Sequence, residues 1–96
     1  MQKKDIINSL KRFKELNSSR YNIVKIGLFG SVAGERFDQE SDIDIVVVLS
    51  KPDMFNLIGI KQDLEEEFQR HVDIVRYRER MNPFLRRRIE REVIYV

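Results

Sequence analysis

Two apolar runs, residues 43–49 and 71–77, flank a stretch whose hydrophobic residues Leu57, Ile60, Leu64 and Phe68 recur at helical spacing over a face of Lys61, Asp63, Glu65, Glu66 and Glu67. A strand, a helix and a second strand in that order make a crossover, and crossovers within one sheet are right-handed, so the two strands run parallel. Both then start at the same end of the sheet. That end carries acids: Asp42 and Asp44 open the first of the two strands, and Asp73 lies near the start of the other. A further short apolar run, Ile23 to Phe29, stops at Gly30. If it is antiparallel to the strand that follows, Gly30 and Ser31 arrive beside the three carboxylates.

The rest of the chain fits around this arrangement. Ile6, Leu10 and Phe13 repeat at helical spacing, with Ile7 and Leu16 beside them, so an amphipathic helix is expected from Lys3 to Leu16, ending near Asn17-Ser18-Ser19. Pro52-Asp53 closes the second strand, and a helix from Met54 to Phe68 follows despite Gly59. Asn82-Pro83 reads as a cap and a first-turn proline, opening a last helix through Phe84, Leu85 and Ile89 toward the apolar tail "VIYV". The expected class is α/β (α+β): a small mixed three-stranded sheet packed by helices, in the order α-β-(α)-β-α-β-α, with a short turn of helix after Gly30. The strand from Ile43 to Leu49, apolar on both faces beyond Asp44, is expected at its centre.

At 96 residues the chain has the size of one small domain, 1–96, able to bury roughly 60–65% of its unfolded surface in a single core. It has no cysteine and one histidine, His71, which excludes a disulfide framework and a thiolate nucleophile and makes a zinc finger a poor reading. No apolar run reaches the ~20 residues that span a bilayer, and the start "MQKKDIINSLKRF" carries charge through its apolar positions, unlike a secretory signal. A soluble cytoplasmic protein is expected. Net charge is only +2, but 35% of residues are charged, a proportion that suits a highly charged surface.

Asp42 and Asp44, two apart, project from one face of a strand with Cα atoms roughly 7 Å apart. Three converging carboxylates repel one another unless a cation compensates. Their hard oxygens select magnesium or manganese, and magnesium commonly shares its shell with substrate phosphates. Two such ions about 3.5–4 Å apart hold an attacking oxygen and a nucleoside triphosphate for in-line displacement. Backbone N–H groups at the Gly30-Ser31 turn, with the Ser31 hydroxyl, supply an anion site. Gly27, Gly30 and Gly34 make neither G-x-G-x-x-G nor G-x-x-x-x-G-K-[ST], so Rossmann and P-loop readings fail. Singly, a D-x-D, a "GS" or a strand acid is ordinary; the ordered combination is what points to a site.

"GSVAGERFDQESDIDIVV" resembles the G-S-x-A-R-G…S-D-x-D signature of the DNA polymerase β-like nucleotidyltransferases, above all their minimal branch, the MNT proteins, many of which are antitoxins paired with a HEPN toxin. The likeness runs nearly end to end, with "VDIV" as the third acidic strand. It implies that Gly30 and Ser31 bind the triphosphate of ATP, that Asp42 and Asp44 bind magnesium or manganese, and that Asp73 is a metal ligand or the base for the acceptor hydroxyl. It further implies transfer of AMP to a tyrosine of a HEPN-type toxin. The chain departs from the signature where Ala33-Gly34-Glu35 replaces A-R-G and the next arginine is Arg36. Either Arg36 reaches the triphosphate from the next turn, or the position is vacant and the chain acts chiefly by binding and occluding its partner.

A domain this small leaves the acceptor surface to a partner or a second copy of the chain. Transfer to a small molecule or an RNA end is a third reading, to which Arg76, Arg78, Arg80, Arg86, Arg87, Arg88 and Arg91 lend slight support. Interleaved Glu79, Glu90 and Glu92 favour a solvated, salt-bridged helix face over a nucleic-acid surface. His71 reads as structural or exposed rather than as a ligand, and Tyr21, Tyr77 and Tyr95 as packing residues.

Overall fold

A computed structural model describes residues 2–34 and 41–96. Its elements are α1 (Lys3–Tyr21), β1 (Ile23–Phe29), β2 (Ile43–Leu49), α2 (Met54–Phe68), β3 (Val72–Arg76), α3 (Pro83–Glu92) and β4 (Ile94–Tyr95). The sheet runs in the order β3-β2-β1-β4, with β2 parallel to β3 and antiparallel to β1. The α+β class and the central place of β2 are as the sequence implies.

The expected three strands are four. After Glu92 the backbone turns extended at Val93 (ψ 140°), and β-branched and aromatic residues then favour a strand over another helical turn. Ile94 and Tyr95 pair with Leu28 and Gly27, and Val96 N–H donates to the Ile26 carbonyl at 3.0 Å. Gly27 permits this approach, since a Cβ there would stand 2.7 Å from the Ile94 carbonyl oxygen. The apolar tail is therefore an edge strand.

Helix α1 also runs past its expected end. Asn17 Nδ2 donates to the Phe13 carbonyl at 3.1 Å and the Ser18 hydroxyl to that of Lys14, so both polar side chains bond back into the helix instead of breaking it. It stops at Asn22, whose left-handed backbone (φ 58°) closes the last turn. Asp53 and Asn82 cap α2 and α3 by accepting from the N–H groups of Phe55 and of Phe84 and Leu85. The short helix expected after Gly30 is, in the described residues, one turn closed by Gly34 N–H on the Gly30 carbonyl at 3.2 Å.

The side-chain alternation of β2 divides the interior. Ile43, Ile45, Val47 and Leu49 face Ile6, Leu10 and Phe13 of α1 and Ile60, Leu64 and Phe68 of α2. Val46, on the opposite face with Phe29 of β1, packs with Met81 and with Ile89 of α3. Asp42 and Asp44 share the parity of Val46, so they open on the face that α3 covers. No helix among the described residues is long and apolar enough to cross a membrane.

Candidate active site

Strand register sets the site. Asp44 is paired with Phe29 of β1 on one side and with Asp73 of β3 on the other, so the last residue of β1 and two acids form one row across three strands. Hydrogen bonds hold the start of β2 against that of β3: Ile43 N–H donates to the His71 carbonyl at 3.0 Å, and Arg70 donates to the carbonyl of Ser41. Glu65 of α2 accepts from Val72 N–H at 3.0 Å. The convergence expected of Asp42, Asp44 and Asp73 is thus present.

Within it the acids divide. Asp42 and Asp73 gather around His71, whose Nδ1 lies 3.4 Å from Asp42 Oδ2 and 3.6 Å from Asp73 Oδ1. One ligand atom from each of these three exposed residues falls within 4.8 Å of the others, a spacing that suits one cation. The two carboxylates are hard oxygen donors that fit a divalent ion such as magnesium or manganese, whereas the imidazole is a donor that softer ions favour. Asp44 stands apart, half-buried, with its carboxylate turned toward Gly30 and Arg88. Its carboxyl is pushed above the usual carboxylate range by burial first and by Asp73 next, while Arg88 pulls the other way.

Gly30 is the second half of the site. It has a positive φ of 74°, and a Cβ there would collide with Asp44 Oδ2 and stand 3.1 Å from Arg88 Nη2. Glycine is needed both for the turn and for the close pass of backbone over acid. Beyond it opens a cavity of about 530 Å³ lined by Gly30, Ser31, Ala33, Gly34, Arg88 and Glu92. Gly30 and Ser31 are therefore beside the acids, as expected; Arg36 lies outside the described residues.

Three participants carry another reading in the sequence: His71 as structural or exposed rather than a ligand, and Arg88 and Glu92 as part of a solvated, salt-bridged helix face. The spacing of His71 to Asp73 places both on one side of a strand's start and would have flagged the histidine. Arg88 and Glu92 are legible as an i,i+4 pair, but not their position over the acidic row, which depends on how α3 docks. Elsewhere in the arginine-rich segment, Arg86 pairs with Glu90 and Arg91 with Glu92, both at 3.8 Å, as the salt-bridged reading expects.

An acidic row on a small mixed sheet, facing a glycine turn and a cavity, defines the class: a nucleotidyltransferase fold. Residues 10–96 match the nucleotidyltransferase domain family, and the chain belongs to it. Over 95 residues it is 30% identical to "Putative protein adenylyltransferase MJ1379" of Methanocaldococcus jannaschii, across 96% of this chain and 95% of that protein. It is 31% identical over 91 residues to a second protein of that organism, "Putative protein adenylyltransferase MJ0435", across 94% and 97% of the two chains. Among solved structures, "Structure of putative minimal nucleotidyltransferase" superposes with a TM-score of 0.81 at 28% identity, covering 98% of this chain and 95% of that one. A toxin–antitoxin structure with AMP-PNP superposes with a TM-score of 0.69 at 26% identity, covering 85% and 68%.

Proposed function

We propose that this nucleotidyltransferase transfers AMP from ATP to a hydroxyl, that of a tyrosine, on a toxin of the HEPN kind, and so acts as its antitoxin in the cytoplasm. The observation that carries the reading is the alignment of Asp44 and Asp73 in one sheet row beside the Gly30 turn and its cavity. The protein adenylyltransferase names of its relatives and the toxin–antitoxin neighbour support the acceptor class.

In this reading the single domain 1–96 holds the triphosphate on the Gly30 N–H and the Ser31 hydroxyl. The acceptor oxygen bonds to the α-phosphorus as the bond from that phosphorus to the bridging oxygen breaks, and pyrophosphate leaves. Asp73 accepts the hydroxyl proton. Asp42, Asp44 and Asp73 would hold magnesium or manganese, which would supply charge neutralisation of the phosphates. His71 orients the Asp42 and Asp73 carboxylates from between them. The signature arginine falls at Gly34, and Arg36 is the nearest arginine that could replace it at the triphosphate; an ATP titration of Arg36→Ala tests that replacement.

Incubation with labelled ATP, magnesium and the product of the neighbouring gene, followed by intact mass of both proteins, tests the function. Addition of one AMP unit to the partner, lost in Asp42→Asn and Asp44→Asn, is the expected result. A partner that is bound and silenced with no change in mass would replace transfer by occlusion, the reading that Gly34 in place of arginine favours.

A further inference from the structure

We propose that Arg88, carried on α3, is the cation that receives the triphosphate, and that Glu92 occupies the phosphate's place until nucleotide displaces it. The inference rests on the nucleotidyl-transfer reading and adds two binding residues to it. Gly30 N–H, the donor expected to meet a phosphate oxygen, already donates to a carboxylate: Glu92 Oε1 lies 3.1 Å away. The same oxygen accepts from Arg88 Nε at 3.3 Å. A negatively charged oxygen thus sits on the turn's N–H with a guanidinium at its side, which is how a bound phosphate would be held.

Arg88 is aimed at the cavity by its neighbours. Its guanidinium lies over the Phe29 ring, 5.5 Å from the centroid, and Phe29 immediately precedes Gly30. A cation–π contact of this kind holds the guanidinium near the ring while its N–H groups remain able to bond. Gly34, where the family signature has arginine, lines the same cavity as Arg88 and Glu92. The space that signature arginine would serve is therefore reached from α3. At about 530 Å³ the cavity falls in the range of small-molecule sites.

The exchange is physically cheap. The Arg88 and Glu92 side chains are 47% and 31% exposed, and ion pairs so open to water contribute little to stability. A triphosphate offers more charge than one carboxylate and accepts from a guanidinium fork in bidentate fashion. Arg88 would keep a charged partner and Gly30 N–H an acceptor, while Glu92 is released to solvent.

Calorimetric titration of ATP with magnesium into wild type, Arg88→Ala, Arg88→Lys and Glu92→Gln tests this, with thermal melts to establish folding. Arg88→Ala should weaken binding on the order of ten- to a hundredfold, Arg88→Lys less, because it keeps the charge but not the fork. Glu92→Gln should tighten binding, since the competing charge is gone. Loss of a merely structural helix contact would weaken both positions, so opposite signs identify anion exchange. Wild-type affinity in Arg88→Ala, or weaker binding in Glu92→Gln, overturns the inference while leaving nucleotidyl transfer standing. A wild-type protein that binds no ATP overturns both.

Discussion

A Cβ on Gly30 would overlap Oδ2 of Asp44, so the anion-binding turn and the half-buried acid are packed backbone against carboxylate. Gly30→Ala must adopt a left-handed backbone and also push the acid aside. The strain alone should cost about 1–2 kcal/mol, read as a lower midpoint in urea. ATP binding should be lost with it. An alanine variant of unchanged stability would show that the turn relaxes freely.

Asp44 gives a pH dependence with a definite sign. Burial, then Asp73, raise its pKa in the folded protein, so the fold keeps a proton that the unfolded chain releases near pH 3.9. Without metal, stability should fall as pH climbs from that value through the raised one and stay lower beyond it. Asp44→Asn lacks this fall and should melt above wild type at pH 7. With magnesium and ATP at about 100 times the dissociation constant, wild type should gain roughly 2.7 kcal/mol that the variant does not. Superimposable melting-versus-pH profiles would remove Asp44 as the source.

Gly34 can accept a side chain. The nearest atoms to a Cβ there are the Gly30 and Ser31 carbonyl oxygens, both at 3.8 Å, ordinary contact distances. Gly34→Arg should therefore fold normally and, with Arg88 present, change ATP affinity little. In an Arg88→Ala background it should recover at least tenfold. Titrations of the single and double variants make the comparison, and absence of rescue would mean that a side chain carried at Gly34 does not reach the place Arg88 serves.

Away from the site, the Tyr21 hydroxyl donates to Asp63 at 2.5 Å, tying the end of α1 to α2. Gly59 makes room for the ring, since a Cβ there would come within 2.8 Å of it. Tyr21→Phe should cost about 1–3 kcal/mol in urea melts by leaving Asp63 without this donor. Burial and the Asp63 bond raise the tyrosine's pKa, so the contribution holds below pH 10 and is lost as pH rises through the raised value. The gap between wild type and variant should close in alkali; a constant gap would assign the loss to packing.

The part of the site built by strand order was readable from the sequence, because one crossover helix between β2 and β3 forces Asp44 and Asp73 to the same edge. The part built by docking was not. Arg88 meets Gly30 only because Ile89 buries against Phe29 and Val46, a choice of face that helical spacing permits but does not determine. Strand β4 escaped for a related reason. Two residues carry no alternation to detect, and their pairing depends on the missing side chain at Gly27.

The unequal lengths of the outer strands bear on what the borders of the sheet offer to other chains. Sheet edges are templates for adventitious pairing when they are long, flat and uncharged. Here one edge, β4, is two residues long, and the other, β3, has five residues that include Asp73 and Arg76. Over the residues described, neither border offers a foreign strand a long, uncharged row of open backbone groups.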